Sequence, residues 1–257
     1  MTARERVRGL AGGLVAGAAS GLFGVGGGLA LVPALTGFFR VTQHEAHGTS
    51  LAVIGFTALV GLVVYGAHAN VEWVAALPIA LGSLATAGLG ARLAARVSPG
   101  GLRRGFAIFL VLVALRLIWQ PPTVAPVEGL SGVASFVTCL ILGLAAGGLA
   151  GFMGVGGGIV VVPFLTLVFG MSQQAAQGTS LAVMLVTAPA AAFEHARHRN
   201  VVWRLVPVLA VGTVVGAPLA AWAAQGLPHA LLTRGFGLFL LATALRTWTR
   251  ASGTESS

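Results

Sequence analysis

Apolar residues fill eight stretches of the chain, at about 9–40, 47–69, 73–95, 102–119, 131–170, 178–196, 203–224 and 231–249, with short polar or proline-rich breaks between them. Most have the ~20 residues that a helix needs to cross ~30 Å of hydrocarbon. The first and fifth are too long for one crossing, and each is cut near its middle by Gly-Val-Gly-Gly-Gly, at Gly24–Gly28 and Gly154–Gly158. Consecutive glycines lose the most backbone entropy on becoming helical, so the pattern predicts a break there, with Pro33 and Pro163 in the first turns of the resumed helix, near where a missing N–H costs little. Arms of about 12–15 residues, or ~20 Å, are too short to span. The expectation is a re-entrant hairpin whose tip lies near the midplane.

The two glycine elements belong to a longer repeat. From Ser20 to Val53 against Ala150 to Val183, 19 of 34 ungapped positions are identical at an offset of 130 residues. The same offset relates Gly48-Thr49-Ser50 to Gly178-Thr179-Ser180, Asn70 to Asn200, Trp73 to Trp203, and Arg104-Gly105-Phe106 to Arg234-Gly235-Phe236. The predicted organisation is a first repeat over 1–119, a proline-rich linker over 120–130, a second repeat over 131–250 and a disordered tail over 251–257. The fold class that follows is an all-α polytopic membrane protein of two repeats. Each is a glycine-broken hairpin plus three transmembrane helices, 8 to 10 segments in all.

Arginine placement sets the expected topology, because basic residues collect on the cytoplasmic side. With both hairpins re-entrant and the N-terminus inside, 13 of the 15 arginines fall inside and only Arg116 and Arg234 outside. Eight plain crossings give 9 to 6 instead. Three crossings per repeat turn the second copy upside down, the inverted arrangement common in secondary transporters, and leave both termini cytoplasmic. The basic run Arg4, Arg6, Arg8 before an apolar segment imitates a signal peptide. The same run recurs at Leu140–Gly154, so it is expected to persist as the first element of the repeat.

Composition agrees: 56 % of residues are apolar, 8 % are charged, and the mean hydropathy is +0.93. A net charge of +9 suggests nucleic acid until the arginines are seen at the ends of apolar runs, where no folded basic face is available. Nucleic acid is therefore not an expected partner. Cys139 is the single cysteine, which excludes an internal disulfide and reads as a buried thiol.

Candidate chemistry centres on the glycine tips. Non-helical backbone at membrane depth needs protein or a water-filled cavity around it. Two inverted hairpins would bring Gly26, Gly27, Gly28, Gly156, Gly157 and Gly158 together, with free N–H groups and two positive helix ends facing a shared space that suits a small anion. The rival reading is close helix packing by small residues. A nucleotide loop is excluded, since the block lacks the Lys of a P-loop and does not fit GxGxxG.

The hydroxyl pairs Thr49-Ser50 and Thr179-Ser180 open crossing helices and are candidates to complete an oxyanion shell, though such side chains also bond their own helix. Gln43, His44 and His47 align with Gln173, Gln174 and Gln177 and are candidates for the pathway. The histidines add the prospect of proton coupling, against a reading as solvated bystanders. Glu194, His195 and His198, beside Arg197 and Arg199, read as an interfacial charge cluster. Asn70 and Asn200 with Trp73 and Trp203 read as boundary anchors. No catalytic pairing recurs, so an enzyme is not expected, and neither a cofactor nor a metal is.

Two copies of GxxxGxGGGxxxxP, each followed by GTSLA and then an Asn-Val turn with Trp, resemble the TauE/SafE family of sulfite exporters over about residues 9–249. The resemblance implies an inner-membrane carrier, working without ATP, for sulfite, sulfonates or related organosulfur oxyanions. It also implies roles for the glycine blocks with Pro33 and Pro163, and for both hydroxyl pairs. Alternatives are a passive anion channel and a carrier of a small carboxylate. The expected partners are a small anion, the lipid bilayer, a coupling proton or ion, and a second copy in a homodimer.

Overall fold

The computed structural model describes residues 2–94, 100–119 and 132–252, and their side chains except at 94, 100–106 and 247–252. The predicted linker at 120–130 and the tail beyond 252 lie outside the described residues, as do Arg96 and the side chains of Arg103, Arg104 and Arg250.

The first half runs through α1 (Ala3–Phe23), α2 (Gly28–Phe38), α3 (Gln43–Ala67), α4 (Trp73–Ala94) and α5 (Gly100–Trp119). The second runs through α6 (Val133–Met153), α7 (Gly158–Val168), α8 (Gln173–Arg197), α9 (Val206–Gln225) and α10 (His229–Ser252). The described residues contain no strand. Five helices, α3, α4, α6, α8 and α9, are long and apolar enough to cross a membrane. With Phe56, Leu77, Phe193 and Trp222 bare on the outer faces, the molecule is an all-helical polytopic membrane protein.

Both glycine blocks break the helix. Gly24 ends α1 at φ 66° and Gly27 opens α2 at φ 75°, a left-handed backbone that side chains resist; Gly154 and Gly157 repeat this at φ 67° and 83°. The second arm turns back along the first, so that Gly27 meets Ala16, Ala34 meets Gly12 and Phe39 meets Gly9. Gly157 likewise folds onto Ala146 and Ala150.

Two expectations are corrected here. The first arms α1 and α6 have 21 residues each, not 12–15, and only the 11-residue second arms are too short to span. In α1 the helix outruns the apolar stretch because Thr2 and Glu5 form a capping box and the arginine-rich turn after it favours helix. The prolines also sit deeper than the first turn. Pro33 is the sixth residue of α2, so the carbonyl of Leu29 has no N–H to accept from, and Pro163 does the same to Ile159.

Glycines spaced by four bring helices of opposite halves into backbone contact. Gly13, Gly17 and Gly21 of α1 meet Leu209, Thr213 and Ala217 of α9, while Gly143, Gly147 and Gly151 of α6 meet Ile79, Ser83 and Ala87 of α4. Residue numbers rise together in both pairs, so the helices are parallel. A Cβ on Gly17 would sit 2.7 Å from Thr213 Cα, which leaves room for no side chain. Small-residue packing thus operates along the arms. At the centre α3 and α8 run antiparallel, with Gly48 against His195, Gly55 against Pro189 and Gly61 against Leu181.

Candidate functional site

The two hairpin tips touch. A Cβ on Gly28 would fall 2.8 Å from both Gly154 O and Val155 Cα, and one on Gly158 would fall 2.6 Å from Gly24 O. Within α2 the ladder begins with Ala30 and Leu31 N–H donating to Gly27 O at 3.0 and 2.9 Å; α7 repeats this from Val160 and Val161 to Gly157 O at 3.0 and 3.2 Å. The N–H groups of Gly28, Leu29, Gly158 and Ile159 precede those ladders and by helix geometry have no intrahelical acceptor. Gly26, Gly27, Gly156 and Gly157 complete the two bends, all buried.

Two side chains that sequence reasoning missed fill the space expected to be open. Ile54 and Met184, both fully buried, lie against both tips. A Cβ on Gly26 would meet Met184 Sδ at 2.8 Å and Ile54 Cγ2 at 2.9 Å; on Gly156 the same atoms stand at 3.4 and 3.3 Å. The available signal was positional. Residues 54 and 184 stand 130 apart, one helical turn beyond Ser50 and Ser180 and hence on the same face.

The Gly-Thr-Ser triplets bind each half to the other. Thr49 Oγ1 accepts from the Val202 N–H at 2.9 Å, and Thr179 Oγ1 accepts from the Glu72 N–H at 2.9 Å. Ser50 Oγ donates to Gly154 O at 2.7 Å and stands 2.9 Å from His47 O; Ser180 Oγ donates to Gly24 O at 2.9 Å. Gly48 and Gly178 let the carbonyls of Asn200 and Asn70 close on the helix. Each triplet therefore grips the Asn-Val turn and the hairpin tip of the opposite copy. All four hydroxyls are fully buried and engaged with backbone.

The glutamine and histidine row divides. His44 is exposed. His47 is half-buried, with Gln43 Nε2 at 2.9 Å from its Nε2. Gln177 is buried beside Gly24 and 2.7 Å from the Tyr65 hydroxyl, which also stands 2.8 Å from Gly21 O. Gln174 Nε2 donates to Leu227 O at 3.0 Å. Gln173 is buried near Thr233, and its N–H donates to His229 Nδ1 at 3.0 Å.

His195 leaves the surface cluster to which its sequence neighbours assign it. It is 1 % exposed, and its Nε2 donates to Gly151 O at 3.0 Å, just before the second tip. Glu194 remains in a charge cluster, 2.7 Å from Arg92 Nε, 3.6 Å from Arg197 and 3.5 Å from His198. Trp73 and Trp203 are each 62 % exposed, as boundary side chains are. Cys139 is a buried free thiol. Among the described residues no group of three or more His, Cys, Asp or Glu could hold a metal ion.

Comparison with known proteins gives the same kind of molecule. A segment of 109 residues is 38 % identical to a "Probable membrane transporter protein" of Xylella fastidiosa, covering 42 % of each chain. The match thus spans less than half of that relative's length. Over 231 residues the chain is 27 % identical to "Probable membrane transporter protein YunE" of Bacillus subtilis, covering 81 % of this chain and 85 % of that one. A "Probable membrane transporter protein" of Methanocaldococcus jannaschii is 28 % identical over 161 residues, 60 % of this chain and 59 % of that one. No solved structure matches. The family model described as "Sulfite exporter TauE/SafE" covers residues 2–117 and 139–257, taking in both glycine hairpins and both Gly-Thr-Ser triplets, so the chain belongs to this family of membrane transporters.

Proposed function

We propose that the chain is a secondary transporter of small anions, with sulfite, sulfonates or related organosulfur oxyanions as cargo, working by alternating access in the bacterial inner membrane. The observation that carries this reading is the meeting of the two glycine tips, where four N–H groups outside any helical ladder belong to α2 and α7. Positive helix ends and backbone donors favour an oxyanion. The hydroxyls of Ser50 and Ser180 serve this site by holding the tips in register, and those of Thr49 and Thr179 by fixing the opposite Asn-Val turns beside them.

Antiparallel α3 and α8 support two copies of opposite orientation in the membrane, and the bias of arginine placement favours cytoplasmic termini. Ile54 and Met184 fill the space between the tips. A flexible thioether suits a plug that must swing aside for cargo. This closure favours a carrier over an open channel.

Uptake by purified protein in liposomes, with sulfite, sulfate, sulfoacetate, taurine and acetate offered separately at two pH values, tests the proposal. Saturable, concentrative movement of one or two sulfur anions is expected. Conductance without accumulation would replace the carrier by a channel, and movement of acetate alone would replace the cargo by a carboxylate.

A further inference from the structure

The two tips are gripped at equivalent positions by different chemistry. At the first, Gly24 packs on Gln177, Ser180 Oγ donates to Gly24 O, and the Tyr65 hydroxyl reaches Gly21 O at 2.8 Å. At the second, Gly154 packs on His47, Ser50 Oγ donates to Gly154 O, and His195 Nε2 reaches Gly151 O at 3.0 Å. Residues 65 and 195 stand 130 apart, as do 47 and 177. A phenol and an amide keep their charge through the neutral range, whereas imidazoles change theirs.

We propose that His195 and His47 form a proton-binding site that sets how firmly the second hairpin is held, leaving the first hairpin insensitive to protons. This rests on the carrier reading and names its coupling ion.

The geometry is built for neutral rings. Gln43 Nε2 donates to His47 Nε2 at 2.9 Å, and a proton added to that nitrogen would set two donors face to face. A proton added to His195 Nδ1 would leave the Nε2–H bond to Gly151 O in place but bury a cation beside His198 of its own helix and His44 of α3, with Arg92 of α4 and Arg197 gathered on Glu194. Glu194 is the adjacent carboxylate, already engaged by Arg92 at 2.7 Å. The elements α6 and α7 bring one titratable residue between them, Cys139, which lies 12 positions before Gly151, or ~18 Å along the helix. From α10, His229 meets α8 at its opposite end, beside Gln173. Acid therefore loosens the grip on the second hairpin, and neutral pH restores it.

Hydrogen–deuterium exchange of the full chain in lipid nanodiscs tests this, after correction for intrinsic exchange at pH 8 and pH 5.5. Exchange over residues 151–161 is expected to rise roughly tenfold in acid, the effect of about one pKa unit of difference between held and released states, while residues 21–31 keep their protection. His195→Tyr with His47→Gln copies the first grip into the second and should erase the response. His195→Tyr alone retains a donor for Gly151 O and serves as the folding control. Equal responses of both hairpins, or a response that survives in the double variant, would overturn the proposal. Sulfite uptake driven by an imposed pH gradient separates it from the carrier reading. An exchange response without sulfite movement keeps the proton site and sinks the cargo assignment; sulfite movement without an exchange response does the reverse.

Discussion

Thr49 and Thr179 do the same work in the two halves with the same chemistry, whereas Tyr65 and His195 hold equivalent carbonyls with different chemistry. The threonines each accept one partly buried N–H from the opposite Asn-Val turn at 2.9 Å, so the halves hold each other by reciprocal bonds. Around that shared frame the pairs Tyr65 and His195, Gln177 and His47, Ile54 and Met184, and Ser20 and Ala150 have diverged, and every one of them borders a tip. Arg92 with Glu194 is a further case, since Trp222 and Val64 stand at the equivalent positions. What the halves share builds the scaffold. What they do not share makes the two tips chemically inequivalent.

Substitutions at equivalent sites sharpen this contrast. The largest effects belong to the helix breaks. Gly24→Val and Gly154→Val meet a left-handed φ and put a Cβ 2.6 Å from Gln177 Cα and His47 Cα respectively. Strain and overpacking of about 1–3 kcal/mol each should remove the folded peak from size-exclusion profiles in both cases. Gly37→Ala, with nothing within 4 Å of its new Cβ, should behave as wild type.

Next come the staples. Thr49→Val and Thr179→Val each leave a partly buried N–H without its acceptor, which costs about 1–3 kcal/mol in detergent unfolding. Equal losses support reciprocity, and a loss confined to one half breaks it. The smallest effect is at Ser20, whose buried hydroxyl has no hydrogen-bond partner among the described residues while its counterpart is Ala150. Ser20→Ala should leave stability unchanged or raise it by about 1 kcal/mol, and Ala150→Ser should lower it.

The glycine breaks, the offset and the crossing helices were legible in the sequence because each rests on local chemistry: backbone entropy, a repeated string, the length of an apolar run. The hairpin arms were misjudged because hydropathy marks where lipid is tolerated, while α1 continues through Arg4, Arg6 and Arg8 on capping and propensity. Ile54 and Met184 were missed because they look like any apolar residues of a membrane helix; only tertiary contact puts them on the tips. His195 was misread for the opposite reason. Its charged neighbours suggested the surface, but a helix turns about 100° per residue, and residue 195 faces inward where 194, 197 and 198 gather around one carboxylate. Recurrence singles out the hydroxyl pairs, yet recurrence alone does not distinguish a ligand from a staple.

The most direct test of alternating access at the tips is the sidedness of position 184. A Met184→Cys variant on a Cys139→Ser background, reconstituted in one orientation, is labelled with a membrane-impermeant thiol reagent from each face in turn, with and without sulfite. The account predicts labelling from both faces, with sulfite changing the two rates in opposite directions. Rates that rise and fall together, or a thiol that no reagent reaches from either face, would contradict it.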